Sequence, residues 1–197
     1  RVVECALKKI LPLYYRHRDH HGDDGHCHLL FIEPSCGHGD ILVALVDALQ
    51  RMNAIPPEAV AIHGFDIDAN AIATCSQRKE FSDCPSNEYH YPIHWDCRNF
   101  FKTTLQQCIS KIDAVGSKGI NDNNSPKRNM NLLVCCLGGP PYTTGQGSGS
   151  NIRRDLPAQF IRHCRDEWEA DVITFLLPVR YKENMQHNTT YSKMTCE

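Results

Sequence analysis

A mainly parallel α/β sheet with helices on both faces is the fold this sequence predicts, and three observations predict it. Short apolar runs alternate along the chain with segments whose apolar residues recur at helical spacing. Two of those runs end in a carboxylate, at Glu33 and Asp66, and the first leads into the glycine-punctuated turn Pro34-Ser35-Cys36-Gly37-His38-Gly39 before a helical pattern opens at Asp40. A later run ends in Gly138-Gly139-Pro140-Pro141-Tyr142-Thr143, a rigid corner where a strand gives way to a loop. Strand, turn and helix in that order build crossovers of one hand, which stack the strands parallel and cover both faces with helices.

Taken in order, Val2 to Tyr15 carries Val3, Leu7, Ile10 and Leu11 at helical spacing, and Pro12 is expected to cut this lead-in helix short. Arg16 to His28 is polar and reads as an exposed loop. Leu29 to Glu33 is the first strand, and the helix Asp40 to Met52 places Ile41, Leu42, Leu45, Val46 and Leu49 on one face. Ala59 to Asp66 is the second strand, followed by a helix from Ala69 to Lys79 in which Asp68 is well placed as the cap. Tyr89 to Asp96 forms a third strand, and Phe100 to Ile112 a helix before a loop rich in Gly, Asn, Ser and Pro. Asn131 to Leu137 is a fourth strand, Pro157 to Trp168 a helix and Asp171 to Leu177 a fifth strand. The expected division is an N-terminal helix and His-rich loop over 1–28, a core over 29–181 and a short polar tail over 182–197, and the last nineteen residues, from Val179, are too few and too polar for a complete further strand pair.

The length of 197 residues suits one domain, and 41% hydrophobic with 22% charged residues is ordinary globular composition. A formal charge of −2 spreads no basic field over the molecule, so a nucleic-acid partner would need a local patch such as Arg153 and Arg154 in the loop 145–155. Eleven cysteines without a Cys-x-x-Cys pair read as reduced, mostly buried thiols in a cytoplasmic or nuclear setting. No apolar stretch approaches the roughly 18 residues of a membrane span, so no membrane partner is expected. His20, His21, His26, Cys27 and His28 lack a second clustered half, which favours a solvated insertion over a metal site.

In an open parallel sheet the ligand lies beyond the carboxyl ends of the strands, in a Rossmann-like arrangement. Gly37 and Gly39 let backbone approach a ligand closely, Glu33 and Asp66 offer fixed acceptors, and Asp66 at the second strand end is placed to take both hydroxyls of a ribose. Asp96 ends the third strand and could meet a purine amino group, although an acid before Arg98 could equally be a surface turn.

These motifs, in this order, resemble class I S-adenosylmethionine-dependent methyltransferases, specifically the amino-methyltransferases of the adenine-N6 type with an Asn/Asp/Ser-Pro-Pro-Tyr/Phe tetrapeptide after the fourth strand. The resemblance runs from about Leu29 to Tyr181. It implies cofactor binding by Glu33, Pro34, Ser35, Gly37, Gly39, Asp66, Ile67, Asp96 and Cys97, and a catalytic tetrapeptide at Gly139, Pro140, Pro141 and Tyr142. In that family the first tetrapeptide side chain and the carbonyl of the first proline accept hydrogen bonds from the target amino group, and the aromatic ring stacks on a base that duplex substrates must flip out. The resemblance also implies two further strands beyond the carboxyl end of this chain. The implied cofactor is S-adenosylmethionine and the implied target is adenine N6 in DNA or RNA, with a protein-glutamine amide as the alternative substrate.

Gly139 departs from the pattern. Glycine has no side-chain acceptor, and losing one transition-state hydrogen bond costs about 1–3 kcal/mol, or roughly ten- to a hundred-fold in rate. A substitute acceptor, an unusual substrate, or a non-catalytic subunit that retains the fold beside a partner are the three consequences this allows.

Overall fold

The structure, a computed structural model, describes residues 2–20, 28–82, 91, 93–109, 132–141 and 156–177. Its strands are β1 (His28–Glu33), β2 (Val60–Asp66), β3 (Ile93–Cys97), β4 (Leu132–Gly138) and β5 (Val172–Phe175). The helices are α1 (Val2–His20), α2 (Asp40–Met52), α3 (Ala69–Ser76), α4 (Lys79–Ser82), α5 (105–109) and α6 (Leu156–Asp166), with 3-10 turns at Pro57–Ala59 and Phe100–Lys102. All the strand pairs are parallel, in the order β3-β2-β1-β4-β5. That is a Rossmann-like α/β fold, and its chain direction across the sheet reverses between β1 and β4.

β1 is central and apolar from Leu29 to Ile32, so these residues alternate between two cores. Leu29 and Phe31 join α1 and α2 on one face, together with Leu133, Cys135 and Leu137 of β4. Leu30 and Ile32 join Phe65, Val134, Cys136, Phe160 and Trp168 on the other. A strand buried on both faces has no polar side, which is why these runs read as continuous apolar segments. Cys36, Cys75, Cys108, Cys135, Cys136 and Cys164 are buried, as the cysteine pattern predicted, whereas Cys5 and Cys97 are exposed.

Two expectations at the amino end are corrected. α1 does not stop at Pro12 but continues to His20, so residues 16–20 are helix and not loop. A proline inside a helix costs about 3 kcal/mol. Pro12 is exposed, so water can satisfy the carbonyl it frees, while Val3, Leu7, Ile10 and Tyr14 on the opposite face are buried. Burial at roughly 1.5–3 kcal/mol for each large side chain outweighs the single broken turn. Residues 21–27 lie outside the described residues.

Smaller shifts follow from local chemistry. The helix expected over 69–79 divides at Gln77 into α3 and α4, and β3 runs Ile93–Cys97, the expected start at Tyr89 lying outside the described residues. The helix expected from Phe100 opens as a 3-10 turn that ends where the Thr103 hydroxyl donates to the Phe100 carbonyl at 2.6 Å. Asp68 caps α3 as expected, accepting from the Asn70 N–H at 2.8 Å.

Candidate functional site

The carboxyl ends of β1, β2 and β4 converge where the strand order reverses. After Glu33 the chain turns over the end of β2, with the Cys36 N–H donating to the Phe65 carbonyl at 2.8 Å and the Gly39 N–H to the Cys36 carbonyl at 2.8 Å. Gly37 and Gly39 adopt φ of 52° and 80°, left-handed conformations that side chains resist. A Cβ on Gly39 would also stand 3.1 Å from Cys75 Sγ and 3.3 Å from the Trp95 ring. Gly39 is the N-cap of α2 and, having no side chain, caps none of its first-turn N–H groups.

Asp66 organises this turn. Its Oδ2 accepts the Gly37 N–H at 2.8 Å and its Oδ1 accepts the Asp68 N–H at 3.0 Å. An ionised carboxylate offers about four acceptor positions, so each oxygen retains capacity for a further donor. Beside it, Ile67 is 76% exposed, an apolar side chain held in the open at the strand end. Cys97, in register with Asp66, is exposed, and its Sγ lies 3.9 Å from the Ile67 carbonyl. Together Asp66, Ile67 and Cys97 form a half-apolar ledge with an acid at its inner edge. Ser35 is half-buried and Pro34 buried within the turn.

Glu33 sits beneath that turn and is only 2% exposed. Burial pushes its carboxyl well above the ordinary carboxylate range, and the nearby charges of Asp40 and Asp66 push it further the same way. Its Oε2 is buried without a hydrogen-bond partner. Burial likewise pushes up the thiols of Cys36 and Cys75, and Cys75 Sγ donates to the Gly37 carbonyl at 3.2 Å.

At the end of β4, Gly138 has φ of 140° and lies against Glu33, so a Cβ there would be 3.0 Å from Glu33 Cγ. Gly139 and Pro141 are half-buried and Pro140 is buried. Tyr142, Arg153, Arg154 and the tail over 182–197 lie outside the described residues.

The strand ends at this reversal bracket the crevice of an open parallel sheet, with Gly37 bonded to Asp66 on one side and Glu33 packed against Gly138 on the other. Asp96 lies on the neighbouring strand β3. Its side chain lines a small cavity on the α5 and α6 side of the sheet with His63, Phe65, Cys108 and Trp168, and is held by Arg98 through a two-point ion pair whose Nε arm spans 2.6 Å. That ion pair is the contact expected of an acid beside Arg98.

Two contributors escaped sequence reasoning. Arg78 Nη1 donates to the His38 carbonyl at 2.7 Å and to Asp40 at 2.6 Å, which clamps the far side of the turn. Gly138 makes room for Glu33. Neither has a local sequence signal, because each partner is distant along the chain.

No protein-family model matches the chain. A search of curated proteins finds no match either. Among solved structures the chain is similar to an rRNA methylase from Streptococcus thermophilus, at 12% identity over 84% of this chain and 71% of that one, with a TM-score of 0.33. So low a score carries no argument about function, and the fold assignment stands on strand order and register.

Proposed function

We propose that this chain is an S-adenosylmethionine-dependent methyltransferase acting on an amino nitrogen, with adenine N6 in DNA or RNA as the favoured target. The supporting observation is the bond from Gly37 N–H to Asp66, which joins the glycine turn after β1 to the acid ending β2 at the point where strand order reverses. Such a joint suits a nucleoside, with backbone N–H groups on one side and a ribose acceptor on the other. The Ile67 ledge fits the flat apolar face of the base. Asp96 and Cys97 complete the proposed adenine side, with Asp96 sharing its carboxylate between Arg98 and the purine amino group.

The residues fit this cofactor, which would supply an already activated methyl group. The protein's task is then to position an amino nitrogen and exclude water. Pro140 would present its carbonyl to that nitrogen, Tyr142 would stack on the substrate base, and the unit performing the reaction spans 29–181. A cytoplasmic or nuclear location agrees with the buried cysteines, and no helix among the described residues is long and apolar enough to cross a membrane.

One observation favours a second reading. Gly139 brings no acceptor to the target nitrogen, which suits a non-catalytic subunit that binds cofactor beside an active partner. Calorimetry with S-adenosylmethionine, followed by transfer of labelled methyl into DNA, RNA and protein fractions, separates the two. Binding with label in nucleic acid supports the first reading, binding without transfer supports the second, and label in protein alone would move the target to a glutamine amide. No binding would refute both.

A further inference from the structure

Glu33 carries a buried carboxyl at the end of β1. Its Oε2 is sealed from solvent without a hydrogen-bond donor, and among the described residues no basic side chain pairs with it. The groups facing it are acids and thiols from each neighbouring element: Asp40 on α2, Asp66 on β2, Cys36 in the turn and Cys75 on α3. Arg78, whose charge reaches Cys75 in this cluster, donates to Asp40 and the His38 carbonyl. From β4 the contact is Gly138, which carries no side chain at all.

An unpartnered carboxyl in such surroundings holds its proton, because a bare anion there would be both desolvated and repelled. A positive charge arriving in the crevice reverses that balance, since an opposite charge within a few ångströms favours the ionised acid. We propose that a cationic ligand group entering this crevice displaces the proton of Glu33, so that ligand binding and proton release are one event. The exchange balances: the neutral acid becomes a carboxylate paired with the incoming ammonium or sulfonium, and the proton leaves to solvent. The inference rests on the cofactor reading above and goes beyond it, because a nucleoside without positive charge would occupy the same ledge and leave the proton in place.

The test is calorimetry of the full chain with S-adenosylmethionine, and separately with uncharged adenosine, in buffers of different ionisation enthalpy between about pH 5 and 8. Release approaching one proton is expected with S-adenosylmethionine, with affinity rising up to about tenfold per pH unit, and none is expected with adenosine. Glu33→Gln should bind S-adenosylmethionine with no proton release and a flat pH profile. The wild-type measurements stand alone if that variant fails to fold. Binding of S-adenosylmethionine without proton release would overturn the exchange and leave the cofactor reading intact. Equal release with adenosine, or release that persists in Glu33→Gln, would also overturn it. Failure of S-adenosylmethionine to bind would overturn the exchange and the cofactor reading together.

Discussion

Gly138 and Glu33 share a single packing space: a Cβ on Gly138 would stand 3.0 Å from Glu33 Cγ and 3.3 Å from Oε1, and the φ of 140° at Gly138 is one that side chains rarely adopt. Gly138→Ala must therefore strain β4 or displace the Glu33 carboxyl. A loss of about 1–3 kcal/mol in chemical denaturation is expected. An unchanged denaturation midpoint would show that the two strand ends are looser than this packing implies.

The stability of the unliganded protein should depend on Glu33 in an unusual direction. Its folded carboxyl keeps its proton well above the ordinary value of 4.5, because burial and then Asp40 and Asp66 penalise the anion. The unfolded chain therefore gives up this proton first as pH rises. Stability from this group is complete below about pH 4.5 and is lost as pH climbs toward the folded value, at up to about 1.4 kcal/mol per unit. Glu33→Gln, which cannot ionise, should match wild type near pH 4.5 and become progressively the more stable of the two at higher pH. Thermal melts of both proteins across that range measure it, and parallel curves would contradict it.

Asp66 has two bonds to lose. Asp66→Ala frees the Gly37 and Asp68 N–H groups and removes the proposed ribose acceptor. S-Adenosylmethionine affinity should fall roughly ten- to a hundred-fold, equivalent to about 1.4–2.8 kcal/mol. Equal affinity in calorimetry would remove the ribose assignment.

Gly64 tests the core beneath the site. The Trp95 ring lies across it, so an added Cβ would meet ring carbons at 2.6 and 2.7 Å and Leu42 at 3.1 Å. Gly64→Ala should cost about 1–3 kcal/mol through overpacking, read as a lowered denaturation midpoint. Indole fluorescence should shift with it.

Gly139→Asn restores the acceptor that the methyltransferase pattern contains. A gain of roughly ten- to a hundred-fold in labelled methyl transfer is expected if the missing hydrogen bond is what limits the reaction. A loss would mean that a substrate group occupies the space the glycine leaves.

The parts of this molecule legible in its sequence were those written in a single segment. β1, β2, β4 and α2 emerge within a residue or so of their expected bounds, because a strand buried on both faces and a helix with one apolar stripe leave periodic marks. The glycine turn and the Asp68 cap were readable for the same reason. What was not readable depends on distant partners. Pro12 looks like a helix stop until one sees that it faces solvent while its neighbours pack on the sheet. Asp96 shows nothing in its own segment of the two-point hold that Arg98 takes on it. Glu33 reads as an ordinary strand-end carboxylate, and its isolation appears only once Asp40, Asp66 and Gly138 are assembled around it.

The central position of β1 has a consequence for biosynthesis. Its hydrogen-bonding partner on one side, β2, follows closely, but the other, β4, is roughly a hundred residues downstream, with Leu29 opposite Leu133. At a translation rate of about 5–20 residues per second, the Leu-Leu-Phe-Ile edge emerges from the ribosome several seconds before the strand that covers it. During that interval the nascent chain exposes a bare apolar ribbon, the kind of surface that holdase chaperones recognise and that neighbouring copies can pair with.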